Sequence, residues 1–219
     1  MGRDEWEPAD REVTTEVSAG IAKWLPVEIS IKRTITNRWS RRGKEFTRKV
    51  GEYADATPEH LEDRLEHNEE LADAYITAGE RAVRTSNAEF RDGLARLIAA
   101  GLRDDAKIDA ISYYVSVLSQ LEPMHVRYLA ANVKAEQMIA ARPGSSGNPT
   151  VKFVATVAQM PPEIAGSAAE RLHAFGLLTD RLRGDMVNWT GEPLGAFATT
   201  DVGKALLAYC EASEQRSPA

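Results

Sequence analysis

From Ile31 to Ile139 the apolar residues of this chain recur three or four positions apart, a spacing that holds side chains on one side of a helix and scatters them over both faces of a strand. So long a helical pattern points to a mainly α fold, in which each stripe must be buried against another. One stripe runs through Val13, Val17, Ile21 and Trp24 up to Pro26. A second takes Ile31, Ile35, Trp39, Phe46, Val50 and Tyr53, with Gly43 weakening its middle. Thr57-Pro58-Glu59 then offers a capping hydroxyl, a proline at the first helical position and a carboxylate where the helix dipole favours it. The helix that follows draws its buried face from Leu61, Leu65, Ala72, Tyr75, Ile76 and Val83. Thr85-Ser86-Asn87 ends it and caps the next, lined by Phe90, Leu94, Leu97, Ile98 and Leu102. After a turn at Arg103-Asp104-Asp105, Ile108, Ile111, Val115 and Leu118 supply another helix, and Pro123 opens one through Val126, Leu129, Val133 and Ile139.

The stretch Ala141–Thr150, with two prolines, two glycines and small polar residues, is the clearest loop. Beyond it, Val151–Ala158 and Glu163–Phe175 read as two short helices, and Gly176 stands where a left-handed C-terminal cap is expected. A short strand-like run, a turn at Gly184 and a helix from Thr200 follow. This segment resembles the winged-helix family in Leu172, the pair Gly176-Leu177 with Leu178, and the Thr-x-x-Gly of Thr200 and Gly203. The resemblance covers the last hundred or so residues if Pro123–Val133 is the first helix of the unit. It implies that the helix before the wing enters the DNA major groove, with Ser167, Ala168, Arg171 and the wing residues Arg181 and Arg183 as contacts. Between Met160 and Thr190, however, those three arginines face Glu163, Glu170, Asp180 and Asp185, so the segment lacks the cationic surplus that supplies most non-specific DNA affinity.

The strongest charge feature lies elsewhere. Ile31–Val50 carries Lys32, Arg33, Arg38, Arg41, Arg42, Lys44, Arg48 and Lys49 against Glu45 alone, while Gly51–Asp73 carries nine acids against Arg64 alone. Adjacent helices of opposite sign are expected to neutralise each other within the fold or between copies. If the basic helix is instead open, Arg33, Arg38, Arg41, Arg42 and Lys44 are the candidate contacts for nucleic acid or another anion.

No catalytic, metal or cofactor site is expected. His60 and His67 are two helical turns, about 10 Å, apart, too far to share one metal without help. His125 and His173 read as partly buried helix residues, and Cys210, in an apolar helix, reads as a small core residue. Pro143–Pro149 contains glycine but no phosphate-loop lysine, and the paired acids have no companion motif. The charged start Met1–Val13 has no apolar core for a secretory signal, and no run approaches the ~18 apolar residues of a membrane helix. With a single cysteine, a reducing cytoplasm fits best. Asn188-Trp189-Thr190, a glycosylation triplet, is then without meaning.

Taken together, the segments Arg84–Leu102, Leu118–Ala131, Arg171–Leu178 and Thr199–Leu207 resemble the abortive-infection alpha-like proteins of bacteria, over roughly Ala82–Ala212. That resemblance implies a role in phage defence or stress response and transfers no catalytic residues. With 219 residues, 43% of them hydrophobic, and a net charge of −6, the chain suits one large or two small domains. The expected architecture is mainly α: an N-terminal helical bundle over 1–121, packed on a winged-helix-like domain over 122–219 with one β hairpin. The expected function is a non-enzymatic interaction module that binds a protein partner or a second copy of itself, with Trp6, Trp24 and Trp39 as spare apolar surface for a homodimer. The alternatives are a nucleic-acid-binding regulator using the basic helix 31–50 and the wing, and an enzyme without a linear motif.

Overall fold

The computed structural model describes residues 25–142, 147–180 and 195–211, and for 25–36 and 211 the backbone alone. The wing arginines Arg181 and Arg183, the glycosylation triplet, Trp6, Trp24 and the stripe from Val13 lie outside the described residues, as does the side chain of Arg33. The described chain is mainly helical with one two-stranded antiparallel sheet, and it divides after Val115 into two compact units.

In the first unit α1 (Leu25–Ala54), α2 (Pro58–His67), α3 (Glu69–Arg84) and α4 (Ala88–Arg103) are followed by a short 3-10 turn (Asp105–Lys107) and the start of α5 (Ile108–Ser119). The helices begin where side chains can satisfy otherwise orphaned N–H groups: Thr57 accepts from His60 N at 3.3 Å, and Asn87 from Phe90 N at 2.8 Å. The helix expected to run unbroken from Pro58 to Val83 is in fact two. Asn68, in extended conformation, ends α2 and caps α3 by accepting from Leu71 N at 2.9 Å, with Glu69 and Glu70 in the first turn. The buried face of α3 is also displaced from the expected one: Leu71, Ala74, Ala78 and Ala82 are buried while Ile76 is 57% exposed. Small alanines let α3 approach its neighbours closely, and Leu71 lies 3.0 Å from where a Cβ on Gly101 of α4 would stand.

Helices α1, α3 and α4 pack on one another around Phe46, Val50, Leu71, Leu94, Leu97 and Ile98. The contacts fix their register. Arg42 of α1 donates to Val83 O at 3.0 Å and Thr47 meets the Tyr75 hydroxyl at 2.7 Å, so α3 runs antiparallel to α1. Glu45 pairs with Arg91 at 3.3 Å, Lys49 with Asp92, and Arg96 lies 5.0 Å over the Tyr53 ring, so α4 runs parallel to it. With 30 residues, α1 is about 45 Å long against about 24 Å for its 16-residue partners. Its N-terminal half therefore projects past the end of α3 and the start of α4, and Trp39, placed by the sequence both in the apolar stripe and among the spare apolar surface, is 48% exposed.

In the second unit α6 (Pro123–Ala140), α7 (Val151–Ala158) and α8 (Pro162–Ala174) pack on one another, and β1 (Leu178–Asp180) pairs with β2 (Phe197–Thr199) before α9 (Asp201–Glu211). An isolated antiparallel bridge joins Thr150, just before α7, to Ala196. Gly176 has φ +68 and follows α8, as expected of a left-handed cap. Thr200 draws the ends of this segment together: its hydroxyl donates to Gly176 O at 2.7 Å and accepts from Gly203 N at 3.1 Å, and its N–H donates to Leu177 O at 3.1 Å. Buried Asn132 of α6 holds β2 by donating to Thr199 Oγ1 at 2.9 Å and Phe197 O at 3.3 Å.

Candidate functional site

On α1, Arg38, Arg41 and Lys44 stand three residues apart on a slowly winding exposed face, and none makes an ion pair among the described residues. Arg42 is half-buried and spent on the last turn of α3. Further along, the cations are occupied: Arg48 by Glu52 of the same helix, Lys49 by Asp92 of α4 and more distantly by Glu45.

The acidic helices do not cancel this charge by pairing. Among the described residues no ion pair joins a cation of α1 to a carboxylate of α2 or α3; Arg64 of α2 pairs with Asp105, and His67 with Asp63 at 3.3 Å. The geometry gives the reason. Exposed Glu59, Glu62, Asp63, Glu66, Glu69, Glu70 and Asp73 sit on α2 and the start of α3, the end of the unit where α1 finishes. Lys44 lies ten residues, about 15 Å, back along α1 from Ala54, and Arg38 about 24 Å back, well beyond the ~8 Å over which physiological salt lets exposed charges interact. The described part of the unit thus has a basic pole and an acidic pole.

The α8 face is different. Ala168, expected to face outward, is fully buried, whereas Glu163, Ile164, Ser167, Glu170 and Arg171 are exposed. Arg171 stacks 4.7 Å over the Phe175 ring, and Ser167 donates to Glu163 O at 3.3 Å. Two carboxylates against one arginine leave this face without positive surplus.

A third feature joins residues that no linear pattern singles out. A groove of about 680 Å³ runs between α6, the end of α7 and α9, and among its lining residues are Arg127 and Lys134 of α6, Lys204 of α9 and Gln159. The three cations are exposed, and they form no ion pair among the described residues. Among the described residues no carboxylate lines the groove; its floor is apolar and rich in alanine.

The histidines converge on nothing. His60 and His67 are exposed, and His67 Nδ1 lies 2.8 Å from Asp63 O, a contact that holds its pKa above the ordinary histidine value. His125 is buried, with its pKa lowered by burial, and Nδ1 accepts from Glu122 N at 2.8 Å. His173, expected to be partly buried, is exposed with its ring 5.8 Å from that of Phe197, and Cys210, expected in the core, is half-buried. Among the described residues no three His, Cys, Asp or Glu side chains are grouped to hold a metal, and no helix is long and apolar enough to cross a membrane.

Comparison with protein-family models, with curated proteins and with solved structures finds no match to this chain.

Proposed function

We propose that the chain is a non-enzymatic self-association module in which the basic pole of one copy, Arg38, Arg41 and Lys44 on α1, docks on the acidic pole of another, built from α2 and the start of α3. The observation that carries this reading is the separation of the two poles: opposite charges too far apart to satisfy each other within one unit are satisfied reciprocally by an antiparallel pair of copies. Exposed Trp39 beside the basic pole supplies an aromatic anchor of the kind interfaces favour. The resemblance of Ala82–Ala212 to abortive-infection alpha-like proteins is the ground for placing such a module in phage defence or stress response.

The test is sedimentation equilibrium of the full chain. Dimers at about 50 mM salt that dissociate at about 500 mM are expected. A chain with Arg38, Arg41 and Lys44 changed to Glu should be monomeric, and should pair with a second chain carrying Glu66→Lys, Glu69→Lys and Glu70→Lys. A monomeric wild type at low salt, or dimers untouched by the reversal, would sink the reading.

A second reading, a nucleic-acid-binding regulator, draws on the same open cations. The order α6, Thr150 bridge, α7, α8, β1, β2 supports a winged-helix-like second unit, yet the lack of positive surplus on α8 favours phosphate contacts from α1 over contacts from that helix. Duplex DNA titrated at the same two salt concentrations decides it: tight binding at low salt, lost with the triple reversal, favours the regulator.

A further inference from the structure

We infer that the groove between α6, α7 and α9 is a binding site for a small organic anion, a carboxylate, sulfonate or phosphate group carried on an apolar body. The site is independent of self-association, since the groove belongs wholly to the second unit.

Arg127 and Lys134 stand two turns apart on one face of α6, and Lys204 faces the same space from α9. Three cations line the groove with no carboxylate among the described lining residues, so the site favours an anion. The floor, with Ala130, Val157 and Leu207, gives no polar partner to a sugar–phosphate backbone but suits a hydrocarbon or aromatic body. Its volume of about 680 Å³ lies within the range of small-molecule sites.

Backbone geometry adds an independent observation. Helix α7 ends with Gln159 at φ 50 and ψ 53, the left-handed conformation that glycine reaches without penalty, while Gln159 N–H donates to Thr156 O at 3.2 Å and Met160 N–H to Ala155 O at 2.9 Å. A glutamine at the position where glycine is the ordinary choice places an amide on the groove wall at the expense of local strain. Its N–H₂ is a fourth donor for the anion.

The experiment is a fluorescence titration of the full chain with anilinonaphthalenesulfonate, a sulfonate on an aromatic body, with competition by decanoate. One saturable site per chain, emptied by decanoate, is expected. Lys134→Gln combined with Lys204→Gln, both exposed positions whose replacement leaves the fold intact by circular dichroism, should weaken binding about tenfold or more. Gln159→Gly should melt higher than wild type yet bind more weakly, which diffuse attraction to a cationic surface would not produce. Ala208→Trp, at an exposed lining position, should block binding. Absence of saturable binding, affinity unchanged in the lysine variant or in Gln159→Gly, or displacement of the probe by duplex DNA but not by decanoate would each overturn the site.

Discussion

Thr200 and Gly203 show how much a few residues can specify. A Cβ at Gly203 would stand 2.4 Å from the carbonyl oxygen of Leu177, a backbone atom that cannot step aside. Gly203→Ala is expected to cost about 3 kcal/mol, seen as a lower urea midpoint with an unchanged slope. The pair was legible in the sequence as a Thr-x-x-Gly pattern at a helix start, where the hydroxyl caps the helix it opens, but its contacts to Gly176 and Leu177 reach more than twenty residues back along the chain. Tyr128 is the opposite case. Its side chain is fully buried, its hydroxyl has no partner among the described residues, and burial pushes its pKa far up. Tyr128→Phe is expected to be neutral or to stabilise by about 1 kcal/mol in the same measurement, because an unpaired buried hydroxyl costs more than its loss. Nothing in the sequence around Tyr128 marks that difference.

Among the elements, α6 carries a pH dependence. Because Nδ1 of His125 accepts the Glu122 N–H, the ring must be neutral at that nitrogen, and burial, joined by the Arg171 charge, holds its pKa below the ordinary 6.5 against the opposing pull of Glu122. Below pH 6.5 the unfolded chain takes up a proton that the folded chain refuses, so stability falls as pH drops from 6.5 through the lowered folded value. Calorimetric melting should show the transition shift down between about pH 7.5 and pH 5.5, and His125→Ala, less stable throughout, should lose that slope. His67 works in the other direction: its raised pKa contributes stability below pH 6.5 that is lost as pH rises through the folded value, and on an exposed ring the effect is small. Element boundaries were largely readable because caps are local, as at Thr57 and Asn87. The break at Asn68 left its signal too, an asparagine followed by two glutamates, but continuous apolar spacing concealed it. The buried face of α3 was misplaced because alanines are weak in hydropathy, while close helix approach makes them the core.

Over the whole molecule, charge distribution governs the proposed behaviour. If association rests on the two poles, raising salt from about 50 to about 500 mM should weaken it by at least about tenfold, whereas an interface dominated by apolar burial would strengthen or hold. The count of basic and acidic residues was plain in the sequence, but their mutual cancellation was an assumption about distance, and distance depends on how helices pack. Antiparallel α3 carries its acids toward the far end of α1, and the length of α1 carries its cations past its partners. The cationic groove was invisible for the same reason, since Arg127, Gln159 and Lys204 are brought together from three helices. The sequence by itself determined most of the helices, their caps and the left-handed Gly176 that ends α8, because these depend on neighbours within a few residues. Which face of each helix is covered, which charges remain open and which converge were decided by tertiary packing, because those depend on residues that meet through space rather than along the chain.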